Sequence, residues 1–358
     1  MSKQESPPAE REGRLTTLSF PSVLKILKET HRIWSGGLTY YAYLDYLERQ
    51  TSSPWGRRNL RMRALQMPGA TGSRQGIVSS CKTYNLTLRA RSLAGRPRHL
   101  NFVGLGAIYT PEAQRGKGYA RTLLDLLKEE ARAQGRDGLL LFSDIGSEFY
   151  GSCGFLEMSA ATFTLEINAD GRVDEGAYQV VNLSDFPAAT LARHYSRWHA
   201  RERLAVERDE AYFNYKIMKE GYLHRHSQLS WPGLLVMTGA DLKGYAILEA
   251  GGATVRILEI IAEEPRPFFK AILHFALSRK ARRIRGWESV LADLAPGFDL
   301  KRCLLSSLQS NGRGIKDFYF EERSWGCPMI LPLNPGLEAE ISNWCNFSPC
   351  PILELDHL

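Results

Sequence analysis

Two short segments of the chain carry residue types whose spacing suggests chemistry. The first is the glycine loop, residues 110–120 (TPEAQRGKGYA), which follows an apolar stretch and leads into a leucine-rich one. Gly116 and Gly118 remove side chains just where a helix is expected to begin, so free N–H groups and the helix dipole would favour a phosphate there. Arg115 and Lys117 add positive charge. The loop is therefore predicted to bind a pyrophosphate, and a flexible surface loop is the alternative.

The glycine loop departs from two familiar phosphate-binding patterns. A Walker loop requires GxxxxGK[ST], and a dinucleotide-binding turn requires GxGxxG after a first strand with an acidic residue downstream. The letters RGKGYA fit neither pattern.

The second segment, residues 148–155 (EFYGSCGF), follows a predicted buried strand about thirty residues further on. RGKGYA together with FYxxxGF resembles the two best-known motifs of the GNAT acetyltransferase superfamily. The predicted order of strand, glycine loop, long helix, strand, short helix and strand agrees with that superfamily. The resemblance implies an α/β (α+β) GNAT fold with a central mixed, mostly antiparallel sheet, and acetyl-CoA as the cofactor.

The resemblance also implies roles for individual residues. The strand before the loop is expected to bond the pantetheine arm through its backbone, and the pyrophosphate is expected on the N–H groups of residues 115–120. Tyr150 stands where the superfamily usually has a phenol that protonates the departing thiolate, and a phenol with a pKa near 10 suits that task. A core aromatic is the alternative for Tyr150. The predicted cofactor-binding residues are Ile108, Tyr109, Thr110, Arg115, Gly116, Lys117, Gly118, Tyr119, Ala120 and Ser143.

Acetylation of an amine requires the neutral amine, so some group must accept a proton. Several relatives have a Glu in the strand that residues 101–110 are expected to form, but no acidic residue occurs there. Asp144, after the following strand, is the nearest carboxylate and is the predicted catalytic partner of Tyr150. Capping of the next helix is the alternative for Asp144. Ser143 stands where the superfamily commonly has Asn.

A narrower resemblance is carried by Trp34, Leu38, Tyr43 and Glu48, then by IVSSC at 77–81 and SDIGxxFY at 143–150. These residues resemble the fungal lysine N6-acetyltransferases. The resemblance implies a small-molecule amine substrate, with the side chain of free lysine as one possibility. Lys82 stands where Glu is expected in that family, and this reversed charge argues against a cationic amine.

The length of 358 residues favours two domains. We expect a disordered tail at 1–14, a catalytic GNAT domain at 15–170 and a degenerate GNAT-like domain at 171–358, with the boundary in residues 168–175. The second half has AEEP at 262–265 in place of a glycine loop, so it is not expected to bind CoA. It would complete the cleft for the amine, lined by Trp198, His199, Arg201 and Tyr212, unless these residues pack between the halves.

Positive charge is concentrated in one region. The net charge is +7, yet residues 51–100 contain nine Arg, one Lys and no carboxylate, so the rest of the chain sums to −3. CoA phosphates, a solvated strand face and an acidic partner are three explanations. The second function class is accordingly a protein or RNA acetyltransferase, and the third is a non-catalytic CoA- or nucleic-acid-binding protein. Nucleic-acid binding is disfavoured because Trp55 and Tyr84 are the only large stacking aromatics there.

The cysteine content and the apolar segments indicate in which cellular compartment the protein is expected. Six scattered cysteines without a CxxC pair favour a reduced cytoplasmic protein without a metal site, although a Cys345–Cys350 disulfide stays open. No run of eighteen apolar residues occurs, and residues 1–14 lack the apolar core of a signal peptide, so no membrane association is expected. The oligomeric state stays open.

Overall fold

A computed structural model describes residues 13–68, 76–91, 96–168, 177–202, 204–230, 232–240, 242–291, 315–347, 352 and 354–357. The strands are β1 (Arg14–Thr17), β2 (Leu60–Gln66), β3 (Ile77–Arg91), β4 (Pro97–Tyr109), β5 (Gly138–Ser143), β6 (Leu156–Glu157), β7 (Ala161–Ile167), β8 (Gln179–Asn182), β9 (Leu204–Val206), β10 (Gly233–Gly239), β11 (Leu242–Gly251), β12 (Thr254–Ala262), β13 (Arg283–Trp287), β14 (Ile315–Glu322) and β15 (Cys327–Pro332). The helices are α1 (Phe20–Trp34), α2 (Tyr40–Ser52), α3 (Pro54–Asn59), α4 (Tyr119–Ala133), α5 (Glu148–Gly151), α6 (Ala188–His199), α7 (Glu210–His226), α8 (Pro265–Ser278) and α9 (Pro335–Phe347).

The described strands form two mixed sheets with the same plan. The first has the order β1-β2-β3-β4-β5-β15-β6, with β9 added to β3, and the second has the order β14-β7-β13-β12-β11-β10-β8. Each sheet contains one parallel pair, β4 with β5 and β12 with β13, and its other pairs are antiparallel. The predicted mixed, mostly antiparallel fold is confirmed, and the second sheet repeats the arrangement of the first.

The two sheets exchange a strand. β15 comes from the end of the chain and lies between β5 and β6, whereas β7 leaves the first half and lies between β13 and β14. Residues 155–167 were expected to form one strand, but residues 158–160 interrupt it, so β6 stays in the first sheet. β7 then buries Phe163, Leu165 and Ile167 in the core of the second sheet. Most of the predicted boundary, residues 168–175, lies outside the described residues.

The sequence predicts that the charged segment 186–220 is helical, and this holds for most of it but not for β9 and its flanks. It contains α6 and most of α7, separated by β9, which pairs with residues 88–90 of β3. Leu204, Ala205 and Val206 are all buried, and burial on both sides favours an extended apolar run over a helical turn. This short strand joins the second half of the chain to the first sheet.

The first sheet is covered on both faces. On one face, which we call the α4 face, α4 buries Leu123, Leu124 and Leu127 against the sheet. On the opposite α7 face, Trp55 of α3 packs on Tyr212 and Tyr215 of α7, with ring centroids 5.2 and 4.6 Å apart. The sequence predicts that Leu123, Leu124, Leu126 and Leu127 face inward, and all but the partly buried Leu126 are buried.

Much of the positive charge in residues 51–100 contacts the second half of the chain. Arg58 lies 3.6 Å from Asp209, and Arg98 lies 3.1 Å from Glu340. Arg91 donates a hydrogen bond to the carbonyl of Ala200. These contacts give part of the basic stretch a role in joining the two halves.

Several of these cations lie far from the glycine loop. In the β3–β4 ladder, Arg89 opposes His99, ten residues from the loop end of β4 at Tyr109. That is about 33 Å at the usual rise of a strand. Arg89 is therefore distant from the glycine loop along the strand, and which of these cations face the phosphates of CoA stays a prediction.

Among the described residues, Cys81, Cys153 and Cys327 are buried free thiols, and no cluster of His, Cys, Asp and Glu has the arrangement of a metal site. The Cys345–Cys350 pair lies outside the part whose side chains are described. No described helix is long and apolar enough to cross a membrane.

Candidate functional site

Strands β4 and β5 pair and then separate. The parallel pairing runs from Phe102 with Gly138 to Leu105 with Leu141. Beyond it, β4 continues through residues 106–109 beside β3, and β5 continues through residues 142–143 beside β15. The gap between these two ends, which we call the wedge, exposes strand backbone that would otherwise pair, and such groups need partners.

A bulge in β4 marks the opening of the wedge. The β3–β4 register shifts between Ser80 and Lys82, and Ala107 has the positive φ of 48°. Bulges bend a strand and redirect its backbone groups. Ile108, Tyr109 and Thr110, the predicted pantetheine-binding residues, follow directly after it.

These residues are held firmly along the rim of the wedge. The Tyr109 hydroxyl donates to Glu29 at 3.1 Å, and the hydroxyls of Thr110 and Ser79 lie 3.0 Å apart. Ser79 also donates to the carbonyl of Tyr109 at 3.2 Å. Contacts from β3 and α1 therefore hold residues 109–110 in place, and the backbone groups that face the wedge stay available to a ligand.

The glycine loop ends in the N-terminus of α4, as predicted. Gly116 and Gly118 have φ of 75° and 78°, values that favour glycine, and α4 begins at Tyr119. The first bond inside the helix is from the N–H of Thr122 to the carbonyl of Gly118 at 3.0 Å. The N–H groups of the first turn thus have no helical partner. A Cβ added at Gly116 or Gly118 would meet nothing within 4 Å. The space beside these two glycines at the N-terminus of α4, which we call the cradle, is therefore open.

Cationic side chains surround this cradle. Arg115 donates through Nε to the carbonyl of Thr110 at 3.2 Å, and Lys117 donates to the carbonyl of Ala113 at 3.0 Å. Arg121 was not predicted, and it donates to the carbonyl of Ser152 at 2.8 Å, which joins α4 to the end of α5. Its position one helical turn after Gly118 is the signal that could have identified it.

Ser143 ends β5 opposite Cys327 of β15. Its hydroxyl donates to the carbonyl of Gly146 and accepts from the N–H of Ile145 at 3.3 Å. Both hydrogen bonds of the Ser143 hydroxyl therefore lie within the turn that follows β5 and stabilise it.

Tyr150 lies in α5 on the α4 face, buried between Phe149 and Phe155 with ring centroids 5.1 and 6.0 Å away. Burial, with a smaller contribution from the nearby Asp144 carboxylate, raises the pKa of Tyr150 to about 12. The phenol therefore keeps its proton at any physiological pH. Its hydroxyl has no hydrogen-bond partner among the described residues.

Asp144 accepts a hydrogen bond from the residue that precedes the exchanged strand β15, and it does not cap α5. Its Oδ1 accepts from the N–H of Gly326 at 3.1 Å, while Ser147, the N-cap of α5, makes no side-chain capping bond. Partial burial raises the pKa of Asp144, and the bond from Gly326 opposes this rise. Asp144 thus lies at the end of β5 near Tyr150, held by the second half of the chain.

On the α7 face, Lys82 of β3 lies directly opposite Gly106 of β4. Its Nζ donates to Oε1 of Gln50 at 3.1 Å. Burial, assisted by the positive charge of Lys219, lowers the pKa of Lys82 to about 7. From the sequence, Lys82 was noted only as a Lys where Glu was expected. Its lowered pKa could not be predicted, because the groups around its amine come from α2 and α7.

His357 connects the wedge region to a cavity of about 280 Å³. Its Nε2 lies 4.0 Å from Oδ1 of Asp144, and its ring lies 5.1 Å from that of Phe142 at the end of β5. Burial, together with nearby Lys219 and Lys216, lowers the pKa of His357 to about 3, so its imidazole is neutral. The cavity is lined by Lys219, Glu220, Leu223, His224, Pro232, Leu234, Glu249, Arg256, Leu258, Trp325, Glu354 and His357.

None of the four residues proposed to line the cleft lines this cavity, and His199 lines a separate cavity of about 600 Å³ beside Trp55 and Arg208. Trp198 and Tyr212 are buried in two different core clusters, and His199 stacks on Tyr195 at 5.5 Å. Arg201 is exposed and lies 3.9 Å from Glu263. Packing between the halves, the alternative explanation, fits Tyr212, which packs on Trp55, whereas Trp198 lies in a core cluster of second-half residues. α7 contributes to the cavity through residues further along the helix.

The comparisons with known proteins rest on structure. No family model matches the chain, and no curated protein matches its sequence. A GCN5-related N-acetyltransferase from Kribbella flavida has a TM-score of 0.59 at 14% identity, over 91% of this chain and 72% of that one. A protein of unknown function from Enterococcus faecalis, described as a probable N-acyltransferase, has a TM-score of 0.63 at 12% identity, over 90% and 72%.

A GCN5-related N-acetyltransferase from Anabaena variabilis is similar to the same degree, with a TM-score of 0.59 at 12% identity over 90% of this chain and 73% of that one. At such low identity these likenesses concern the fold. The chain therefore has the GNAT fold, with a second sheet of the same plan.

Proposed function

We propose that this protein transfers the acetyl group of acetyl-CoA to a primary amine of a small molecule, by direct attack in a ternary complex. The observation that carries the proposal is the wedge between β4 and β5 together with the open N-terminus of α4, where Gly116 and Gly118 leave space for a phosphate. The GNAT fold of the chain supports the same activity.

The residues around the wedge fit acetyl-CoA. The backbone of residues 108–110 would bond the pantetheine arm, and the N–H groups of residues 115–120 would hold the pyrophosphate, because the cradle is open and at the positive end of α4. Bound acetyl-CoA supplies an activated thioester. A Tyr150 hydroxyl that stays protonated can donate to the departing sulfur.

The cavity on the α7 face suggests an amine that also carries a carboxylate. Its lining holds two ion pairs, Lys219 with Glu220 at 3.8 Å and Arg256 with Glu249 at 2.7 Å, so both signs of charge border it. A zwitterionic amino acid presents both signs, so such a lining is complementary to it. Free lysine, which the narrower sequence resemblance implies, is therefore the first amine to test.

Calorimetry with acetyl-CoA tests the cofactor site. Gly118→Trp should fill the open cradle and weaken binding at least 100-fold. Gly135→Trp is the matched control, because Gly135 also has a positive φ, 65°, and open space around it, but lies at the other end of α4. No binding by the wild type, or equal binding by both variants, would refute the cofactor site.

Turnover tests the reaction itself. Release of the CoA thiol should be followed across a set of free amino acids, polyamines, basic peptides and RNA, with N-acetylation confirmed by mass spectrometry. We expect turnover with amino acids that carry a side-chain amine. Turnover on peptides or RNA alone would contradict the small-molecule proposal and favour the macromolecular alternative.

A further inference from the structure

Lys82 lies at the point where β4 leaves β5. It pairs with Gly106, the first β4 residue beyond the last β4–β5 pair. Directly opposed residues of antiparallel strands have Cα atoms about 5 Å apart and side chains on the same face. Because Gly106 has no side chain, this residue places no side chain between the Lys82 stem and the mouth of the wedge.

The groups that face the Lys82 amine are neutral or positive. From α2, Gln50 accepts its hydrogen bond, and from α7, the Tyr215 hydroxyl donates to the same Gln50 oxygen at 3.5 Å. Lys219 of α7 is the charged neighbour, with its own amine 3.8 Å from Glu220. Strands β2 and β4 place Met62 and Gly106 opposite Lys82.

This environment sets the protonation of Lys82. A partly buried amine without a carboxylate partner loses the solvation of its charged form, and a nearby cation adds repulsion. The lowered pKa, about 7, means that roughly half of the molecules hold a neutral amine at neutral pH. A neutral amine donates one hydrogen bond to Gln50 and keeps its lone pair free to accept a proton.

We infer that Lys82 is the proton acceptor of the acetyl transfer, an inference that rests on the proposed function. Its neutral Nζ takes a proton from the ammonium group of the substrate. The freed amine nitrogen forms the C–N bond to the thioester carbonyl as the C–S bond breaks. Tyr150 donates its proton to the departing sulfur, and the proton that the new amide nitrogen sheds restores the Tyr150 hydroxyl. Lys82 releases its own proton to solvent, so the products are an amide, a thiol and one proton.

This assignment accounts for two features of the sequence. The strand β4 carries no carboxylate beyond its bulge, and the Asp144 carboxylate already accepts a bond from Gly326. Lys82 therefore supplies a base on the α7 face, opposite Tyr150 on the α4 face. A neutral Lys82 also does not repel a cationic amine.

The pH dependence of kcat/KM for the best amine tests the inference. The wild type should lose activity below an apparent pKa near 7. In Lys82→Met the activity at pH 7 should fall about 10²- to 10⁴-fold, and the acid limb should move toward the pKa of the free amine, about 10 for lysine. Gln50→Glu should move the acid limb upward from its wild-type position by about one to three pH units, because a carboxylate beside Lys82 favours the charged form of its amine. Lys270→Met, at an exposed position on α8, should behave as wild type.

A second amine makes the test independent of protein stability. A side-chain-fluorinated lysine, whose amine is largely neutral near pH 7, needs no base, so Lys82→Met should acetylate it almost as fast as the wild type does. An equal loss with both amines, or an unchanged acid limb in Lys82→Met, would overturn the inference while the proposed function stands. If Lys82→Met does not fold, the Gln50→Glu profile decides. Wild-type protein that binds acetyl-CoA but acetylates no amine overturns both.

Discussion

Arg208 donates two hydrogen bonds to the carboxylate of Asp356, at 2.9 and 2.8 Å, although 148 residues separate the two in the chain. A third bond from the same guanidinium reaches Glu259 at 2.6 Å. All three side chains are at most 2% exposed. Since His357 follows Asp356, this buried cluster positions the imidazole beside Asp144 and the cavity.

Replacing Arg208 should therefore destabilise the protein strongly. In Arg208→Met, two buried carboxylates lose their cation, which typically costs about 3–5 kcal/mol. The free energy of unfolding in urea measures this cost. Arg58→Met is the control, because its pair with Asp209 is mostly exposed and should contribute under about 1 kcal/mol. Similar losses in the two variants would contradict the role of the buried cluster.

Asp144→Asn should raise the melting temperature slightly at pH 7. The folded protein raises the pKa of Asp144, so the folded state prefers the neutral carboxyl, and stability decreases as the pH rises through that pKa. Asparagine removes this cost and keeps an oxygen for the N–H of Gly326. Because Asp144 is half-exposed, we expect a rise below about 3 °C that disappears near pH 3.

Thermal scans at the two pH values measure this difference, and Asp144→Ala is the control because it also removes the Gly326 bond. A lower melting temperature for Asp144→Asn than for wild type at pH 7 would show that the ionised form stabilises the fold. The acid limb of kcat/KM should stay near pH 7 in Asp144→Asn, since Lys82 takes the proton. Loss of that limb would instead return the role of base to Asp144.

The parts of the site that could be predicted from sequence are those made by one continuous segment. The glycine loop needs only its own residues and the helix after them, so Gly116 and Gly118 identified it. Tyr150 came from the resemblance of FYxxxGF to the second GNAT motif, which is also one continuous segment. Lys219, His357 and Gly326 could not be predicted, because they come from α7, the C-terminal segment and the exchanged strand region.

The strand exchange itself left no local signal. Residues 158–160, Met-Ser-Ala, contain neither Gly nor Pro, so the alternation of apolar residues appeared to continue from β6 into β7. Which sheet a strand joins depends on partners more than 100 residues away, Arg283 and Ile284 for β7. The contacts of the positive charge in residues 51–100 could not be predicted for the same reason, because Asp209 and Glu340 are distant in sequence.

The exchange predicts that the first half does not fold alone. A fragment of residues 1–168 would lack β15, which leaves the pairing edge of β5 open and exposes buried Leu139 and Leu141. Open apolar edges favour aggregation. We expect no cooperative urea transition for this fragment, and recovery of a soluble complex when residues 169–358 are co-expressed. Cooperative unfolding of the isolated fragment would contradict this dependence.

Tyr150→Phe should lower kcat without weakening the binding of acetyl-CoA. The ring keeps its packing on Phe149 and Phe155, and the hydroxyl has no partner among the described residues, so stability should change little. Loss of the proton donor to the departing sulfur should reduce kcat about 10²- to 10⁴-fold. Since the pKa of Tyr150 is about 12, the wild type should show no basic limb from this group below pH 10.

Stopped-flow turnover and calorimetry on the same preparation separate these effects. Tyr178→Phe is the control, because that hydroxyl contacts His274 at 2.8 Å beside the second sheet, remote from the wedge, and its loss should leave kcat unchanged. A parallel fall in affinity and kcat would mean that Tyr150 shapes the cofactor site rather than donating a proton. An unchanged kcat would show that the departing sulfur does not depend on the proton of Tyr150.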